Sequence, residues 1–107
     1  MKNKTHQEAS QLFHILSHQA RLRILDELRK GEACVCHLQT VLGRPQAYIS
    51  QQLRVLREAG IVIDRKDGLL VYYRLADPEV ERLLENVLGP AGQSACIAEC
   101  PCPRCQR

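Results

Sequence analysis

CVCHLQTVLGRPQAYISQQLRVLREAG, Cys34 to Gly60, is the stretch from which the rest of the chain is read. Its first part places Val35, Leu38 and Leu42 at spacings of three and four, the period of a short helix from Cys34 to Leu42 with one apolar face. Gly43-Arg44 then makes a tight connection. Pro45 suits the first turn of a further helix, because its missing N–H has no partner there and its φ is already helical. That helix runs over residues 45–58 and closes at Ala59-Gly60. Along it Ile49, Leu53 and Leu56 form one apolar stripe, while Gln46, Ala47, Tyr48, Ser50, Gln51, Arg54 and Arg57 make up the other side. A short helix, a glycine turn and a longer helix with a polar outer face constitute a helix-turn-helix.

Upstream, Ala9, Leu12, Phe13, Ile15 and Leu16 repeat with helical period between Glu8 and Ser17. A second helix carries Ala20, Leu22, Ile24, Leu25 and Leu28, ends on Arg29 and Lys30, and stops at Gly31. Downstream the period changes. Ile61, Val62 and Ile63 lead into Asp64-Arg65-Lys66-Asp67-Gly68, a charged turn, and Leu69 to Leu75 return as a second strand, so the pair reads as a hairpin, the wing. Asp77 caps and Pro78 opens a last helix with Val80, Leu83, Leu84, Val87 and Leu88, which Gly89-Pro90 ends. The fold class expected is mainly α with a small β-hairpin: a dimeric winged helix-turn-helix in the order helix, helix, helix, helix, hairpin, helix. Residues 1–90 are expected to form one domain, for which DNA binding and dimerisation are the roles argued below. Residues 91–107, without apolar periodicity, form a cysteine-rich C-terminal tail.

Composition sets the outer bounds. The 107 residues have room for one small domain. With no Trp, one Phe and three Tyr, the core falls to Leu, Ile and Val, and a core this small leaves little room for a deep substrate cleft. No apolar run approaches the roughly 20 residues that cross a bilayer, and Met1-Lys2-Asn3-Lys4 leads into polar residues instead of a signal core, so a cytoplasmic protein without a membrane partner is expected. The formal charge of +3 is uneven: up to Leu75 there are twelve Lys/Arg against seven Asp/Glu, and beyond it three against five. The basic part favours a polyanionic partner.

That partner is expected to be double-stranded operator DNA. Gln46, Tyr48, Ser50 and Gln51 stand at the N-terminal end of the longer helix, where such helices present side chains to base edges. Gln can pair with an adenine edge, Ser with either base type, and a Tyr ring can contact a thymine methyl. Arg44, Arg54 and Arg57 would hold phosphates, joined by Arg65 and Lys66 from the wing. One such domain reads only a few base pairs, so specificity calls for a dimer on a palindrome, with the first and last helices left over to form its interface.

Several of these segments resemble one known family. Glu32-Ala33-Cys34-Val35-Cys36-His37-Leu38 is similar to the "ELCVCDL" box of the ArsR/SmtB metal-responsive repressors. Tyr48-Ile49-Ser50-Gln51-Gln52-Leu53, continuing to Leu56-Arg57-Glu58-Ala59-Gly60-Ile61-Val62, resembles that family's recognition helix and its end, and Gly68 to Leu75 resembles its "G-x-x-x-x-Y-x-L" wing strand. The resemblance spans about residues 8–88. It implies a homodimeric winged helix-turn-helix repressor that leaves its operator when an inducer binds. The inducer site departs from the pattern. Gln39 stands where arsenite-responsive members have a third Cys. Asp77 is followed by Pro78 and Glu79, and Pro90 and Gln93 occupy the places of later zinc ligands.

Six cysteines remain for the inducer. Without an export signal, reduced thiols are the default, and clustered thiols point to metal or redox chemistry. Cys96, Cys100, Cys102 and Cys105 put four soft ligands within ten residues, and Pro101 and Pro103 prevent a regular helix there. Three thiolates suit arsenite or antimonite; four suit zinc or cadmium. Cys34 and Cys36, taken as positions i and i+2 of a helix, would point about 200° apart, so that one ion could hold both only after local unwinding. Otherwise Cys34 caps the segment and Cys36 packs as a small hydrophobe. His6, His14, His18 and His37 read as surface or core residues, with His37 the reserve ligand.

The reading is a repressor of a metal or metalloid resistance operon, released by arsenite or antimonite first, and by Cd, Pb or Zn second. Two alternatives stand beside it: a redox- or sulfide-sensing repressor on the same fold, and an interaction module with a structural zinc tail. An enzyme, such as a thiol-dependent reductase, is disfavoured: no phosphate-cradling Gly loop and no nucleophile with base and orienter is present.

Overall fold

A computed structural model describes residues 3–92. The element order is α1 (His6–Leu16), α2 (Gln19–Arg29), β1 (Ala33–Cys34), α3 (Val35–Leu42), α4 (Gln46–Glu58), β2 (Val62–Asp67), β3 (Leu70–Leu75) and α5 (Pro78–Leu88). Leu, Ile and Val do build the core. Ile24, Leu25, Leu38, Ile49, Leu53, Leu56, Val62 and Val80 are all buried, and they come from α2, α3, α4, β2 and α5. The hydrophobic stripe of α4 expected from spacing therefore faces inward, against α2 and α3.

Local chemistry places the helix ends. Thr5 Oγ1 accepts the Glu8 N–H at 3.1 Å while Glu8 Oε1 accepts the Thr5 N–H at 3.0 Å, a reciprocal cap that starts α1 two residues before the apolar period does. At the other end of the chain Asp77 Oδ1 accepts the Glu79 N–H at 2.9 Å, and Pro78 occupies the first turn of α5. Between α3 and α4 the chain reverses at Gly43, whose φ of +66° is left-handed and whose N–H bonds Gln39 O at 2.8 Å. No atom lies near enough to crowd a Cβ there, so the demand on this position is conformational. Pro45 is the N-cap of α4, one place outside its first turn.

The sheet differs from the expectation in two places. The charged run Asp64 to Asp67 is not the turn: it continues β2, and the register Asp67↔Leu70 leaves a two-residue turn of Gly68 and Leu69. Gly68 takes φ +65°, as a two-residue hairpin loop requires, and Leu69 stands fully exposed in the turn instead of entering β3. Charge misled because β2 is an edge strand exposed beyond Val62, where charged side chains are ordinary. The second difference is β1, two residues that pair Ala33↔Tyr73 and Cys34↔Tyr72 and complete a three-stranded antiparallel sheet in the order β1-β3-β2. Two residues are too few to show a period, so only the tertiary pairing reveals them.

Candidate nucleic-acid interface and thiol recess

The polar side of α4 is presented to solvent at its start. Gln46, Ala47, Ser50 and Gln51 are exposed. Tyr48 is half-buried and packs on the core, and the Arg44 guanidinium lies over its ring, 5.2 Å from the centroid. Further along, Arg57 pairs with Asp64 at 3.1 Å and Arg54 approaches Glu58 at 3.9 Å, both in exposed positions where such pairs exchange readily for another anion. Lys66 projects from the exposed stretch of β2.

Arg65 is held differently. Its guanidinium donates to both carboxylate oxygens of Glu32, at 2.7 and 3.2 Å, and lies 4.8 Å from the centroid of the Tyr72 ring. The hydrogen bond from Arg65, helped by the charges of Arg65 and Arg74, holds the Glu32 carboxyl below the ordinary carboxylate range, and Glu32 in turn raises Arg65. Arg65 therefore ties the middle of the wing to the segment before β1.

One residue of α4 that sequence reasoning passed over is Gln52, which is 6% exposed. Its signal was available: at three after Ile49 and four before Leu56 it falls within the buried stripe. Its Oε1 accepts from Arg21 Nε at 2.8 Å.

The thiols of Cys34 and Cys36 occupy different surroundings. Cys34 lies in β1 with extended backbone (φ −87°, ψ 167°), as the residue capping α3, and is buried; Cys36, in the first turn of α3, is exposed. The helical premise that set the two side chains about 200° apart fails, because the first of them precedes the helix. Cys34 does cap the segment by position, without a side-chain cap hydrogen bond, but Cys36 does not pack as a buried hydrophobe. Both residues line a recess of about 310 Å³ with Val35, Gln39, Gln46 and residues 69–71 of the wing. Among the described residues no group of three or more Cys, His, Asp or Glu is arranged to hold a metal ion. Cys96, Cys100, Cys102 and Cys105 lie outside the described residues. His37, the reserve ligand, is fully buried, with Nε2 3.1 Å from Glu27 Oε1. A larger recess of about 660 Å³, between α1, the end of α4 and Asp77, lies away from the reading face.

Comparison with known proteins decides what this arrangement belongs to. Residues 18–64 match the family described as bacterial regulatory protein, arsR family. The arsenical resistance operon repressor of Escherichia coli is 51% identical over 84 residues, covering 76% of this chain and 69% of that protein. The chain belongs to the arsR family. Among solved structures, HlyU from Vibrio cholerae superposes with a TM-score of 0.74 at 32% identity, covering 80% of this chain and 94% of that one. The homodimeric winged helix-turn-helix domain Mb0332 from Mycobacterium bovis does so with a TM-score of 0.66, also at 32% identity, covering 82% and 87%. The mainly helical winged helix-turn-helix expected from the sequence is thus the arsR-family fold, with DNA binding as its regulatory activity. Among the described residues no helix is long and apolar enough to cross a membrane.

Proposed function

We propose that the protein is a homodimeric repressor of a metal or metalloid resistance operon, released from its operator when a soft thiophilic ion binds cysteine thiolates. Arsenite or antimonite is the first choice of inducer and Cd, Pb or Zn the second, since three-coordinate sulfur suits the former and four-coordinate sulfur the latter. Gln46, Tyr48, Ser50 and Gln51 contact base edges, and Arg44, Arg54 and Arg57 hold phosphates, joined by Arg65 and Lys66 from the wing. The dimer forms through α1 and α5, on which Phe13 (59% exposed) and Val87 (77%) carry apolar surface that the described fold does not cover.

One observation carries the reading: Cys34 and Cys36 share their recess with Gln46, the first residue of the reading helix. An ion held by these thiols sits against the very turn that must enter the major groove, so ligation and DNA reading compete for one local geometry. The tail thiols Cys96, Cys100, Cys102 and Cys105 supply the larger donor set and are the principal site in this proposal. Induction requires only that the ion favour a conformation with weaker operator contacts, and a coupling of about 3 kcal/mol lowers operator affinity about 150-fold.

Fluorescence anisotropy on a duplex covering the chain's own promoter tests this, with arsenite, cadmium and zinc added in turn. The expected result is tight, salt-sensitive binding that arsenite weakens. Repeating it on Cys34→Ser/Cys36→Ser and on a chain ending at Ala95 locates the sensor by the variant that stops responding. Full-chain binding that none of the three ions alters would refute induction by thiol ligation.

A further inference from the structure

Apolar packing seats α4: Ile49, Leu53 and Leu56 are fully buried against its neighbours. Hydrophobic burial is itself non-directional, so a hydrogen bond adds a restraint of a different kind on the helix's rotation. Base reading depends on that rotation. With side-chain tips about 6 Å from the axis, a rotation of about 20° carries each by about 2 Å, enough to break a hydrogen bond to a base edge. A directional contact to α4 would therefore sharpen what packing sets coarsely.

The Arg21 guanidinium makes such a contact. Arg21 stands in the first turn of α2 and joins three helices: Nε donates to Gln52 Oε1 of α4 at 2.8 Å, and Nη1 donates to Ile15 O at 3.2 Å. Ile15 lies in the last turn of α1, among the carbonyls that a helix end leaves without an intrahelical donor. Gln52 is buried, and the planar fork of Arg fixes its two donors relative to each other, so the acceptors on α1 and α4 are held in one geometry. A second polar tie, Glu27 to His37 at 3.1 Å, pegs α3 to the other end of α2, making α2 the bar on which both reading-unit helices are mounted.

We propose that Arg21 is a positioning residue for operator reading: clamped between Ile15 O and Gln52 Oε1, it sets the rotation of α4 relative to α1, and through α1 relative to the partner protomer. This rests on the proposed operator-binding dimer joined through α1. It places the determinant of base-specific affinity on a residue that touches no DNA.

The test compares full-length protein on a duplex covering its own promoter and on a random-sequence duplex of equal length, with thermal midpoints measured alongside. Arg21→Met and Gln52→Met are each expected to cut the promoter-to-random affinity ratio about tenfold, the size of one lost base contact. Binding to the random duplex, which depends on charge, is expected to fall no more in Arg21→Met than one lost cation explains, and not at all in Gln52→Met. Gln52→Glu keeps an acceptor for Arg21 and is expected to retain the ratio, which a merely space-filling role would not predict. Should a Met variant fail to fold, Arg21→Lys decides: its ammonium keeps the charge but lacks the planar fork that fixes two donors relative to each other, and the ratio falls. The inference is overturned if the ratio survives in Arg21→Lys and the folded Met variants, if Gln52→Glu behaves like Gln52→Met, or if both affinities fall together with thermal stability. A wild-type protein that does not prefer its promoter overturns the operator reading itself, and this inference with it.

Discussion

Glu32 shows how one side chain can make the wing depend on pH. Arg65, on β2, bonds both its oxygens, so the folded carboxyl titrates below its unfolded value. A depressed carboxylate contributes stability that is fully present above the unfolded pKa, about 4.3, and is lost as pH falls through the lower folded value. The wing should therefore loosen under acid conditions. Hydrogen exchange of the amides in 62–75 should quicken, beyond the intrinsic pH effect, as Glu32 becomes protonated. In Glu32→Gln the same amides should exchange faster at neutral pH and show a smaller further acid step, left to the Asp64 and Asp67 pairs. Wing amides of wild type and Glu32→Gln that exchange alike at neutral pH would refute the anchoring role of the pair. Arg65 was legible as a basic wing residue, but not as an anchor, because its partner is 33 positions away. Gln52 was legible in principle, since spacing alone put it on the buried side, whereas Arg21, its partner 31 positions distant, was not.

At the scale of elements, period and punctuation were read correctly wherever an element is long enough to repeat. α4 and α5 are the clearest, each with a buried stripe and glycine or proline near its ends. α5 also supplies a quantitative expectation. The Asp77 carboxylate satisfies N–H groups at the start of the helix, so Asp77→Ala should cost about 1 kcal/mol. For a domain of this size that lowers the thermal midpoint by about 4–8 °C, read by circular dichroism. A midpoint unchanged within about 1 °C, well under that range, would mean that Pro78 alone starts the helix. The hairpin was placed correctly but its turn was not, because charge in an exposed edge strand looks like charge in a loop. Only the register, Asp67 opposite Leu70, distinguishes them.

At the scale of the whole molecule, the proposed dimer calls for a surface on α1 and α5. Phe13 on α1 and Val87 and Leu88 on α5 leave apolar surface exposed, although most other residues of their kind are inside. If α1 and α5 form the dimer, Phe13→Glu and Val87→Glu should each shift the protein toward monomer in sedimentation velocity, because each buries a charge at an apolar contact. Promoter affinity should drop at least about tenfold, since a monomer engages one half-site. A dimer that persists in both variants would place the interface elsewhere.

What this chain's sequence determined unaided is what local chemistry determines. Helical periods, capping residues, the left-handed glycine at 43, the arrangement of a polar helix face over an apolar stripe and the family likeness are all written within a few residues of where they act. Contacts across the fold were decided only by tertiary structure. Folding turned Cys34 into a buried strand residue beside an exposed Cys36, opened their recess onto Gln46, buried His37 against Glu27 and joined Arg21 to Gln52. The physical reason is range: a cap or a period is satisfied within one or two helical turns, whereas a partner for a buried polar group comes from whichever element packs against it.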